Sequence, residues 1–115
     1  RVHVLFQPHR YTRTRDLQPE FARAFADADT LQVLDIYAAS EEPIAGVNAP
    51  ILAEAIRRTG TVGGGVEYAE SMAAGVGALA KAARDGDVIL TLGAGNVSQA
   101  GAMLLEALTI ADAPR

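Results

Sequence analysis

The residues best suited to chemistry stand together near the start of the chain, in Gln7-Pro8-His9-Arg10-Tyr11-Thr12-Arg13-Thr14-Arg15-Asp16. Arginine carries a planar fork of N–H donors that grips a carboxylate or phosphate at two points. Three such cations close together repel one another, and an acidic ligand or partner relieves that repulsion. Arg1, Arg10, Arg13 and Arg15 all fall in the first fifteen residues, every Asp and Glu lies beyond them, and the net charge is −4. A cationic segment on an acidic chain suits local capture of a small anion, not a broad polyanion face, so nucleic acid is not an expected partner. The bland arrangement is also open: arginines that are solvated or paired with Asp16, Glu20 and Asp35, which contributes little.

Other motifs carry less. An isolated His9 is ordinarily structural or merely exposed, and Tyr11 is ordinarily a packing residue. Gly93-Ala94-Gly95-Asn96 resembles the opening of a dinucleotide fingerprint. It follows the last strand, however, and lacks a third glycine at the required spacing. A tight turn that lets helix and strand approach is the preferred reading there. The pair Glu41-Glu42 has the chemistry to ligate magnesium, yet adjacent acids are usually solvated. No GxxxxGK[ST] phosphate loop, Gly-x-Ser-x-Gly elbow or His-Glu-x-x-His helix occurs, and Lys81 reads as a surface residue.

These residues must be positioned by a regular alternation of elements. Val2–Phe6, Leu31–Ile36, Val66–Tyr68 and Val88–Leu92 read as strands, the last as the best buried. Between them lie helical stripes. Leu17, Phe21 and Phe25 follow a cap at Thr14 or Asp16. Ile51, Leu52, Ala55 and Ile56 follow Asn48, with Pro50 in the first turn and Gly60 as the stop. Met72, Val76, Leu79 and Ala83 follow Ser71, and a last helix spans about Ser98 to Leu108. Strand and helix repeated four times predict a three-layer α/β fold, a mostly parallel sheet with helices on both faces. Ligand crevices of such sheets lie beyond the C-terminal strand ends, which here are residues 7–16, 37–48 and 93–98.

The 115 residues fit a single domain, and the 50% hydrophobic content supplies its core. There is no cysteine, which removes disulfides and thiol nucleophiles. No apolar run reaches the roughly 20 residues of a membrane span, and no signal-peptide pattern opens the chain, so a cytoplasmic location without membrane association is expected.

Three segments together resemble the C-terminal domain of the Mur ligase family. FQPHRYTRTRD is similar to a signature of its L-alanine-adding members, LDIYAASEEPIAGV to the segment after the second strand, and DVILTLGAGNVS to the last strand and its turn. The resemblance implies a Rossmann-like domain spanning residues 1–115. Its partners in the whole enzyme would be a UDP-sugar domain and a central ATP-binding domain, neither of which the chain contains. It also implies a reaction in which ATP and magnesium phosphorylate the carboxylate of UDP-N-acetylmuramate. The amine of L-alanine then attacks the acyl phosphate. Carried onto matching positions, His9, Arg10 and Arg13 would surround the L-alanine carboxylate and the transferring phosphoryl group, with Tyr37, Ala38 and Ala39 as the neighbouring wall. Alone, the domain is expected to be inactive and to hold no cofactor tightly. Two positions depart from the family pattern: Asn96 stands where an acid is common, and Ser40 where glycine is usual. The family domain also begins before the position of Arg1, so an exposed sheet edge or apolar face, favouring self-association, is a further expectation. Residues alone leave a second class open, a free-standing Rossmann-like module for a small phosphate or carboxylate.

Overall fold

A computed structural model describes residues 1–93 and 95–112. The chain runs β1 (Val2–Gln7), α1 (Tyr11–Asp16), α2 (Gln18–Arg23), β2 (Thr30–Val33), α3 (Ala49–Thr59), β3 (Val66–Tyr68), α4 (Met72–Ala82), β4 (Val88–Gly93), a 3₁₀ turn (Gly95–Gln99) and α5 (Ala100–Asp112). The strands form one parallel sheet in the order β3-β2-β1-β4. Side chains alternate across β1. Val4 and Phe6 face a cluster with Phe25, Leu31, Val33, Leu52 and Ile56, under α2 and α3. Leu5 faces the other way, against Leu34, Val76, Leu79 and Leu104, under α4 and α5. The expected three layers are present.

Local signals were sufficient for two helix starts. Asn48 Oδ1 accepts from the Ile51 amide at 2.9 Å, Ser71 Oγ accepts from the Ala74 amide at 3.0 Å, and Gly60 ends α3 in a left-handed conformation. The first helical region departs from expectation. It starts at Tyr11, so Thr14 lies buried within α1 and Asp16 ends it; neither caps a helix. Pro19, in the first turn of α2, lacks the N–H that would reach back four residues, so one helix becomes two short ones.

Two strands also differ. Regular pairing of β2 stops at Val33 rather than Ile36, beside Pro8, which offers no amide to a ladder. Pairing resumes as a single bridge between His9 and Tyr37. β4 was expected to be the best buried strand but is the sheet edge: Val88, Leu90 and Leu92 are 49, 44 and 41% exposed. Register places them on the same face as Val2, Val4 and Phe6, where α2 and α3 cover β1 and β2 without extending over β4. Among the described residues, an apolar stripe therefore stands open on the edge strand.

At the strand starts, His3 is fully buried, with Nδ1 2.7 Å from Thr30 Oγ1 and Nε2 2.8 Å from Asp87 Oδ2. Asp87 also accepts from the Arg84 amide at 3.0 Å. The His3 hydrogen bond, followed by that amide, lowers the Asp87 carboxyl from 3.8 to about 2.

Candidate functional site

The three C-terminal strand ends meet through one stack of residues. Pairing beyond Pro8 brings the first two segments together: the Tyr37 amide donates to Pro8 O and the Arg10 amide to Tyr37 O, both at 2.8 Å. His9 lies nearly parallel to the Tyr37 ring, with centroids 5.8 Å apart and planes 19° from each other. Gly95 also lies against the Tyr37 ring, where a Cβ would sit 2.5 Å from Tyr37 Cδ2, so only glycine lets the third segment approach. Gly93 is equally constrained, since a Cβ there would lie 2.2 Å from Gln7 O. Gln7 Oε1 then accepts from the Val97 amide at 3.0 Å and ties the last turn to β1. The glycines thus serve close approach, as the sequence suggested, although Ala94 lies outside the described residues.

Of the arginines in the first segment, Arg15 is paired, its Nε 2.9 Å from Asp16 Oδ1; that hydrogen bond and charge raise its pKa. Arg10 and Arg13 are exposed, and among the described residues neither lies within 4.0 Å of a carboxylate. The bland arrangement therefore holds for Arg15 but not for these two. Asp35, one of the suggested partners, instead accepts from Tyr68 Oη at 2.6 Å, which pushes the phenol up to about 12. Arg10 sits at φ 70, a left-handed conformation uncommon for a side-chain-bearing residue, immediately before α1. Arg13 is the third residue of α1.

The first-turn amides of a helix such as α1 have no partner within it and can donate to an anion. One of them is occupied: Glu41 Oε1 accepts from the Thr12 amide at 3.1 Å and Oε2 from the Thr12 hydroxyl at 2.6 Å. With six residues α1 also has little dipole to contribute. Those hydrogen bonds, the Thr12 hydroxyl first, hold the Glu41 carboxyl below its usual range. The picture of Glu41-Glu42 as a solvated pair is accordingly corrected for Glu41, while Glu42 is exposed. Among the described residues no three His, Cys, Asp or Glu side chains converge as a metal site.

Ala38 and Ala39 are half-buried, and Ala38 O accepts from the Glu41 amide at 3.0 Å. Ala39 and Ser40, at the centre of that turn, have φ 50 and 71. A left-handed φ at Ser40 is the physical reason a glycine would suit this position. Asn96 and Gln7 line a cavity of about 160 Å³ with Asp35, Glu70 and Ser71. A larger one, about 380 Å³, lies at the strand starts between Arg1, Thr30, Gln32 and Lys81. Arg10 and Arg13 border neither; they project from the strand-end face into the open.

Comparison with known proteins adds to this geometry. The family model described as "Mur ligase, glutamate ligase domain" matches residues 1–95. A protein of Solibacter usitatus named UDP-N-acetylmuramate–L-alanine ligase is 60% identical over 108 residues, covering 94% of this chain and 22% of its own length. Proteins of the same name from Koribacter versatilis and Acidobacterium capsulatum are 57% and 53% identical, over 94% and 93% of this chain and 23% and 22% of theirs. The chain therefore spans little more than a fifth of the length of these relatives.

Proposed function

The chain belongs to the Mur ligase family, and from that premise we propose that it is the C-terminal, amino-acid-binding domain of an ATP-dependent ligase joining L-alanine to UDP-N-acetylmuramate. In the chemistry so assigned, an oxygen of the sugar-linked carboxylate takes the terminal phosphoryl group of ATP, giving an acyl phosphate and releasing ADP. The L-alanine amine then attacks the acyl carbon, the C–N bond forms, and inorganic phosphate leaves with the electrons of the C–O bond. Nucleotide and magnesium are assigned to the rest of the longer protein, because the residues of this chain do not fit them. It has no GxxxxGK[ST] loop and, among its described residues, no acidic or histidine cluster of the required kind.

The part left to this chain is positioning and charge. Arg10 and Arg13 would grip the L-alanine carboxylate, and their positive field would offset the charge building on the departing phosphate. His9, held flat on Tyr37, would form the adjoining side, with the Tyr37–Ala39 backbone as its wall. The observation that carries the reading is the contrast within one segment: Arg15 is spent on Asp16, whereas Arg10 and Arg13 are exposed without an acidic partner among the described residues.

The test is product formation. The longer protein, given ATP, UDP-N-acetylmuramate and L-alanine, should yield UDP-N-acetylmuramoyl-L-alanine, and this chain alone should yield none and hydrolyse no ATP. Turnover by the pure chain, or no alanine adduct from the longer protein, would refute the proposal.

A further inference from the structure

We propose that Glu41 is a positioning residue for the alanine site: it caps α1 from across the cleft and thereby sets where Arg10 and Arg13 point. This rests on the reading of those arginines as the carboxylate-binding pair. The need for such a residue follows from the residue that precedes α1. A helix normally begins with a side chain that accepts a hydrogen bond from its first-turn amides, and Arg10 has donors only. Glu41, 29 positions beyond Thr12, supplies the missing acceptor twice, to the amide and to the hydroxyl of that residue. Both oxygens of an outward-facing acid are thus committed to a single residue between the two arginines.

The chain strains to deliver it. The turn Ala38–Glu41 is closed by the Glu41 amide on Ala38 O and places two non-glycine residues, Ala39 and Ser40, at left-handed φ. Such conformations persist where surrounding contacts fix them. The same segment holds the backbone of Arg10 through Tyr37 O. The amide of Arg10 and that of Thr12 are therefore both anchored to residues 37–41, and Arg13 follows one residue later. Glu41 does this without quenching the arginines. The Arg10 charge adds a last, minor contribution to the lowering of the Glu41 carboxyl, after the Thr12 hydrogen bonds, but no ion pair within 4.0 Å forms between them.

The experiment is steady-state kinetics of the full-length ligase with Glu41→Ala, Glu41→Gln, Thr12→Val, the double variant Thr12→Val/Glu41→Ala, and Arg13→Ala as the reference. A charge-assisted cap lost beside the site should raise the KM for L-alanine about tenfold in Glu41→Ala. The KM values for ATP and UDP-N-acetylmuramate should stay within about twofold, and the melting temperature within a few degrees. Glu41→Gln, which keeps one acceptor, should fall between, and the double variant should be no worse than Glu41→Ala alone. Arg13→Ala raised but Glu41→Ala unchanged would overturn the positioning role and leave the site standing. An equal loss toward all three substrates in Glu41→Ala would also overturn it, as the mark of a merely structural residue. If Arg13→Ala itself leaves the L-alanine KM unchanged, the site reading falls and the inference falls with it.

Discussion

The two ends of the same parallel sheet treat polar groups in opposite ways. At the strand starts, His3 is closed off from water and both its ring nitrogens are engaged, by Thr30 and Asp87, while Asp87 takes a further amide from Arg84. At the strand ends, Arg10 and Arg13 are exposed and have no carboxylate within 4.0 Å among the described residues. Buried polar groups that satisfy one another fix a fold. Exposed cations held in place by the backbone, with no internal partner, are available to something else. The sheet thus separates an end whose polar groups satisfy one another from an end whose cations are left without acidic partners among the described residues.

That contrast can be broken by substitution. The largest effect is expected at the closed end. His3→Ala removes a fully buried ring and strands the Thr30 hydroxyl, and should cost about 2–4 kcal/mol of unfolding free energy. A lower urea midpoint with an unchanged slope would show it, and the L-alanine KM of the full-length ligase should not move. A loss under about 1 kcal/mol would mean that the buried network is not a stabilising element.

The same network sets an acid dependence. Asp87 is held at about 2 in the fold against an ordinary 3.8, so its contribution is complete above about 4 and is lost as pH falls through about 2. His3→Ala should flatten the acid limb of a stability–pH curve over that window; an unchanged limb would separate the two residues. The smallest effect belongs to the paired arginine. Arg15→Ala should leave the urea midpoint almost unmoved and change the L-alanine KM by less than about twofold, because a surface pair with the adjacent Asp16 contributes little.

Much of this organisation was legible in the residues. Element order, parallel sheet and the caps at Asn48 and Ser71 are written in local patterns of three or four positions, and those patterns held. What escaped was long-range. The start of α1 was misplaced because its cap comes from Glu41, and the nearest local candidates, Thr14 and Asp16, lie inside the helix. β4 was expected to be the best buried strand because Val-Ile-Leu-Thr-Leu reports a strand but not its neighbours. His3 went unremarked, although period-two alternation puts it on the Leu5 face, where an imidazole needs partners. At the candidate site, the three segments and the arginines were apparent from type and position. The division between committed Arg15 and uncommitted Arg10 and Arg13 needed coordinates, because Asp16 stands next to Arg15 and three places from Arg13 in the sequence, and position alone does not say which of them it pairs with.

The central claim, that Arg13 reads a carboxylate, is tested most directly by removing that carboxylate from the substrate. The full-length ligase and its Arg13→Ala variant would each be assayed with L-alanine and with L-alaninamide, which has the same amine and methyl group but no negative charge. The account predicts that the preference for L-alanine, expressed as a ratio of kcat/KM values, falls about tenfold or more in the variant, since that contact is worth at least about 1.4 kcal/mol. A preference that survives the substitution intact would contradict it.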